Sequence, residues 1–305
     1  MHVLFIFLDG VGLGVDDPNI NPFACLEMPF LQSLLGGQKL LAESAPYVGE
    51  RATLLPLDAA LGVNGLPQSA TGQAVLLTGI NIPQEIGEHY GPKPNPAVAK
   101  YILNGNLFSQ AIRAGKTAAL LNAYPPRYFD GVDSGKRLYS AIPWAVTSAG
   151  LSLFDKEDYY AGRALSADFI GDGWRDMLGF PDAPVYKARE AGNKLAELAN
   201  RYDFAFFEYW ASDYAGHKQD MNWASEQFKT FDVVLSGLLD QWDDSNGLIL
   251  ITSDHGNMED LSTRRHTDAK VPGLLIGSSE ARTAFASGLN DLQGIYQRIL
   301  SALCA

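Results

Sequence analysis

The chain has 305 residues, 47% hydrophobic and 19% charged, and its 35 acidic against 23 basic residues set a formal charge of -12. This composition suits a globular protein of two domains or one large α/β unit, and its negative field excludes nucleic acids and anionic membrane surfaces as partners. Only Cys25 and Cys304 are present, which excludes a disulfide framework and a thiol-based zinc site and suits a reducing, cytoplasmic setting.

In chain order, the apolar run Val3 to Leu8 predicts a buried strand. It lacks a basic leader and a small-residue cleavage site, and Asp9 cuts it short, so it does not read as a signal segment. No stretch reaches the roughly 20 apolar residues needed to cross a bilayer. A helix over 29–35 closes at Gly36-Gly37, and helices over 70–77 and 107–114 precede a strand over 117–121. The rhythm breaks from Pro125 to Asp182, rich in Tyr, Asp and Gly, with weak helical periodicity only near Ile142 to Ala149. That stretch is expected as a small cap, residues 125–185, inserted into a core made of 1–124 and 186–305. A helix over 186–199 follows Pro184, then a strand over 204–209, a helix over 223–242, strands over 248–252 and 271–276, and a helix over 289–303. Strands alternating with helices predict an α/β fold, a mostly parallel sheet sandwiched by helices. No internal repeat or linker divides the chain.

Ligands of open parallel sheets bind beyond the carboxyl ends of the strands, so polar residues just after strands carry the functional signal. Asp9 ends the first strand beside Gly10 and Gly12. Asp213 and His217, four residues apart after the strand 204–209, fall on one face of a helical turn and can reach one ion. Asp254 and His255 end the strand 248–252, with Gly256 to turn the chain. His266 lies in the loop before the strand 271–276. Each alone reads as a turn cap or a surface pair, yet three of the five histidines and three aspartates share this placement. Imidazole and carboxylate are ligands for zinc or manganese in hydrolytic and phosphoryl-transfer sites, and magnesium also fits the carboxylates. Three aspartates against two divalent ions leave about +1 of charge, enough to draw an anion to an acidic protein. Upstream, Ser69 and Thr71 stand at the start of the helix 70–77, where exposed N–H groups favour an anion; local chemistry does not choose between these hydroxyls.

Together LDGVGLG from Leu8, QSATGQAVLLTG from Gln68, DYAGH from Asp213, SDHGNMED from Ser253 and HTDAKVP from His266 resemble the alkaline phosphatase superfamily, with the greatest likeness to cofactor-independent phosphoglycerate mutase and phosphopentomutase. The resemblance implies an alkaline phosphatase-like core and two divalent ions. It places Asp9, Ser69, Asp254 and His255 at one ion and Asp213, His217 and His266 at the other. Ser69 takes the nucleophile role, three residues before Gly72, and Asn257 and Glu259 become residues that orient ligands. Two departures stand out: Gln73 replaces the histidine of both mutases, and the inserted segment is shorter than the mutases' substrate-gripping domain. His89, Lys93, Arg127, Lys136, Arg137 and Arg163 are the candidates to bind substrate, although each also reads as a surface residue.

The expected function is phosphoryl transfer through a phosphoserine, with a phosphomonoesterase or phosphodiesterase on a small phosphorylated metabolite favoured over a phosphoglycerate or phosphosugar mutase. A non-catalytic metal-binding regulator is a third reading. Gly10, Gly12 and Gly14 after a strand suggest dinucleotide binding only superficially, because the spacing departs from G-x-G-x-x-G and Asp9 would oppose a pyrophosphate. The sequence does not specify the oligomeric state.

Overall fold

The computed structural model describes residues 1–304. The chain opens with β1 (His2–Leu8), followed by the proline-led helices α1 (Pro22–Cys25) and α2 (Pro29–Leu34) and the strands β2 (Tyr47–Val48) and β3 (Ala52–Leu57). Four helices, α3 (Ser69–Thr78), α4 (Ile82–Ile86), α5 (Pro96–Asn104) and α6 (Leu107–Arg113), lead to β4 (Ala118–Leu120). The helices α7 (Pro126–Asp133), α8 (Ala141–Ser148), α9 (Lys156–Tyr160) and α10 (Asp172–Asp176) precede α11 (Ala188–Ala199). The chain closes through β5 (Phe204–Tyr209), α12 (Ala211–Lys218), α13 (Met221–Gln241), β6 (Gly247–Thr252), β7 (Val271–Gly277), α14 (Ser279–Ala286) and α15 (Gln293–Cys304).

One seven-stranded sheet runs in the order β2-β3-β7-β6-β1-β5-β4. The strands β4, β5, β1 and β6 are mutually parallel. At β7 the direction reverses, and β3 reverses it again, so β3 points the same way as the parallel four. The fold is therefore the expected α/β sandwich with a mostly parallel sheet. The reversal at β7 has a consequence for the site: the loop that enters β7 lies at the edge where β1, β5 and β6 end. Those three finish nearly flush, with Leu8 opposite Tyr209 and Phe7 opposite Thr252.

Side chains alternate across a strand, and the central strands use both faces for burial. Leu4, Ile6 and Leu8 join Ala205, Phe207 and Tyr209 beneath α11 and α13. Val3, Phe5 and Phe7 join Phe204 and Phe206 on the opposite face, under Ala74 and Val75 of α3 and Ile295 and Ile299 of α15. The helices α11 and α13 press together so closely that a Cβ on Gly192 would strike the Val234 carbonyl.

Within residues 125–185, Ile142, Ala145 and Val146 of α8 bury in the second of these clusters. Tyr159 and Trp174, from α9 and α10, instead form a small cluster with Ala123, Ala164 and Ala183. Among the described residues no helix is long and apolar enough to cross a membrane.

Candidate metal centre

Four chain segments converge at the shared carboxyl edge of β1, β5 and β6. Asp9 follows β1, Asp213 and His217 stand on consecutive turns of α12, Asp254 and His255 follow β6, and His266 comes from the loop entering β7. One ligand atom each from Asp213, His217 and His266 lies within 4.8 Å of the others, and the same holds for Asp9, Asp213 and His255. Asp213 therefore serves both groups, a sharing beyond the single role that the motif register gave it. Asp254 stands beside the second group, its Oδ2 3.6 Å from His255 Nε2.

Each histidine is oriented from behind. His217 Nδ1 lies 2.7 Å from the Arg264 carbonyl, His266 Nδ1 2.8 Å from that of Pro67, and His255 Nδ1 3.3 Å from that of Gly256. A carbonyl oxygen only accepts, so Nδ1 carries the proton in each ring and Nε2 is the atom turned to the centre. There His255 Nε2 faces Asp9 Oδ1 at 3.4 Å, and His266 Nε2 faces Asp213 Oδ1 at 3.6 Å. With the proton on Nδ1 these are lone pairs facing lone pairs. Asp9 Oδ1 and Asp254 Oδ2 are also buried without a hydrogen-bond partner. A buried acceptor left unsatisfied costs about 1–3 kcal/mol, more when charged, and a divalent cation between these atoms would satisfy all of them. The donor set thus fits two such ions.

The protonation energetics agree with this fit. Burial, with Asp254 and Asp213 nearby, holds the Asp9 carboxyl well above its ordinary range. Burial and the charge of Asp213 push Asp254 up to about 8. For Asp213 burial also acts upward, but the hydrogen bond from His217 and the surrounding histidines outweigh it and leave its carboxyl below the usual value. Burial drives His255 down to about 3 and lowers His266, so both present neutral imidazoles. His217, with 45% of its side chain exposed, is raised by its 3.3 Å contact with Asp213. A cation entering the centre must displace these protons.

Ser69 is the first residue of α3, and its Oγ stands 3.0 Å from His255 Nε2. Thr71 points away: its hydroxyl donates to the Gln68 carbonyl at 3.1 Å and accepts from Tyr90 N–H at 3.1 Å. Packing thus turns the Ser69 hydroxyl, and not that of Thr71, toward the centre. Gly72 allows this approach, since a Cβ there would collide with Asp254.

The surrounding candidates divide by what they touch. Asn257 Nδ2 donates to Asp213 Oδ1 at 3.2 Å, and Gln73 Nε2 reaches Asp9 Oδ2 at 3.5 Å. Glu259 binds loops rather than ligands, accepting from Gly12 N–H at 2.8 Å, Asn257 N–H at 2.9 Å and the Thr267 hydroxyl. Val11 N–H donates to Ser253 Oγ, so the glycine-rich turn has its amides engaged internally and offers no cradle for a pyrophosphate. His89 lines a cleft with Gln68, Tyr90 and Gly91 next to Ser69. Lys93 donates to the Leu138 carbonyl at 3.1 Å, and Arg137 lies over the Tyr128 ring at 4.8 Å. Arg127 and Lys136 are exposed, and Arg163 pairs with Asp158 at 2.7 Å.

Sequence reasoning missed Glu208. It is buried at the end of β5, its Oε2 accepts from Tyr124 at 3.2 Å, and burial pushes its carboxyl up to about 7. An ionisable residue inside the apolar run Phe204 to Tyr209 was the available signal.

Among solved structures, the alkaline phosphatase from the Antarctic bacterium TAB5 superposes with a TM-score of 0.53 at 12% identity, covering 99% of this chain and 98% of that one. A family model described as the metalloenzyme superfamily matches residues 180–304, the segment that carries Asp213, His217, Asp254, His255 and His266. The chain has an alkaline phosphatase-like fold, and its C-terminal part is similar to the metalloenzyme superfamily. A Leishmania mexicana phosphoglycerate mutase structure superposes on this chain with a TM-score of 0.51 at 12% identity, covering 99% and 95% of the two chains. By sequence, the chain is 26% identical over 159 residues to the 2,3-bisphosphoglycerate-independent phosphoglycerate mutase of Antithamnion sp., which is 48% of this chain and 31% of that enzyme. The match therefore spans less than a third of that relative's length.

Proposed function

We propose that the protein is a metalloenzyme that transfers a phosphoryl group through a covalent phosphoserine on Ser69 and hydrolyses a phosphomonoester or phosphodiester of a small metabolite. The observation that carries this reading is the convergence of three histidine Nε2 atoms and two unpartnered buried carboxylate oxygens beside a helix-start hydroxyl. Asp9, Asp254 and His255, with Ser69, would hold one zinc or manganese ion, and Asp213, His217 and His266 the other. Bound there, the ions supply Lewis-acid activation and neutralise phosphate charge. Ser69 Oγ gives up its proton and attacks phosphorus in line, the bond from phosphorus to the ester oxygen breaks, and that oxygen leaves with a proton. Water then opens the phosphoserine and restores the hydroxyl. The start of α3 favours the negative charge that gathers at Ser69. We place residues 125–185 as the cap that shapes the substrate, a small phosphorylated molecule rather than a nucleic acid.

The names of the curated relatives motivate a second reading, in which a hydroxyl of the retained substrate takes the phosphoryl group and the enzyme is a phosphoglycerate or phosphosugar mutase. Gln73 in place of the mutases' histidine favours the hydrolase. Incubation with phosphoglycerates, pentose phosphates and glucose phosphates separates the two, as release of inorganic phosphate supports hydrolysis and isomer formation supports the mutase. Ser69→Ala should lose at least about 1000-fold in turnover while keeping its metal. Full turnover in that variant would refute the covalent route.

A further inference from the structure

The outer face of α12 carries two large aromatic side chains that the mechanism does not use. Trp210 and Tyr214 are 47% and 46% exposed. Trp210 has helical backbone angles as the residue capping α12, so positions 210 and 214 share one stripe. Positions 213 and 217, which supply metal-ligand atoms, form the neighbouring stripe of the same helix. Tyr214 is steadied by the edge of Trp223, with ring centroids 5.6 Å apart, and by Lys218 Nζ at 5.3 Å from its ring centre. Large apolar exposure rimmed by polar groups marks binding surfaces.

The direction of the reaction links this stripe to the substrate. Attack by Ser69 Oγ, which lies against His255 Nε2, sends the leaving group to the far side of phosphorus, toward Asp213, His217 and His266. Of the histidines there, His217 is the open one, with its side chain 45% exposed against 7% for His266. The open side of this group, at His217, runs along α12 and offers a path for a leaving group longer than a few atoms. We propose that Trp210 and Tyr214 form a stacking subsite for a planar aromatic or heteroaromatic ring on the leaving group, so that the substrate class is aromatic phosphate esters. This rests on the phosphoester reading above.

Stacking of a flat ring on an aromatic side chain changes affinity by roughly tenfold or more. The test is calorimetric titration of the zinc-loaded enzyme with benzylphosphonate and with methylphosphonate, which share the anionic group and cannot be turned over. The parent enzyme should bind benzylphosphonate about tenfold more tightly. Trp210→Ala should collapse that ratio toward one, and Trp210→Phe should retain most of it. Both substitutions sit on the surface, so the Phe variant also controls for folding. Equal binding of the two phosphonates by the parent, or a ratio that survives in Trp210→Ala, overturns the subsite while leaving the phosphoester reading intact. Failure of the parent to bind either phosphonate overturns both.

Discussion

Asp254→Asn probes the electrostatics of the centre most sharply. Asp254 is fully buried, and its carboxyl titrates at about 8 in the folded, metal-free protein against an ordinary value of 3.8. Between pH 5 and 7 the folded chain keeps this proton and the unfolded chain has lost it. A group raised in this direction makes stability fall as pH rises, by about 1.36 kcal/mol per pH unit, or about 2.7 kcal/mol across the window. For 305 residues the unfolding entropy is about 0.64 kcal/mol/K, so the loss corresponds to ~4 °C in Tm. Asparagine removes this contribution. In chelator, the Tm of the unsubstituted protein should fall about 4 °C further than that of Asp254→Asn between pH 5 and 7. Adding zinc at pH 8 should reverse the order, raising the parent's Tm more than the variant's. Parallel Tm curves with and without zinc would refute the claim that a buried, proton-held carboxylate waits for a cation here.

Two further outcomes follow from packing and burial. Gly192→Ala should lower Tm by about 2–5 °C, because its methyl group has to part α11 from α13, and metal content should not change; differential scanning calorimetry with elemental analysis checks both. Glu208→Gln should stabilise the protein at pH 8 by on the order of 3 kcal/mol, since a carboxyl raised to about 7 is a burden above that pH and its amide is not. The gain should vanish below pH 4.5, and urea titrations at the two pH values measure it.

The central strands were legible because their apolar runs are unbroken: β1, β5 and β6 lie where Val3 to Leu8, Phe204 to Tyr209 and Leu248 to Thr252 predict them. β3 was not, because Pro56 interrupts its pattern; the structure tolerates that proline opposite Pro272 of β7. The helices α5 and α14 were missed too, the first beginning at Pro96 behind the Asn95 cap and the second behind Ser278. Motif spacing was enough to gather Asp9, Asp213, His217, Asp254, His255 and His266 into one hypothesis. Spacing does not contain the direction of β7, which brings His266 to the edge where the other ligands stand. Nor does it contain the side-chain packing that engages Thr71, turns Glu259 to the loops and lets Asp213 face both ligand groups.

The central claim, a two-ion centre, is tested most directly by elemental analysis of protein stripped with chelator, reloaded with zinc or manganese at pH 8 and freed of excess metal. The expected result is two ions per chain, falling to one in His217→Ala. A reloaded protein that holds none would contradict the account.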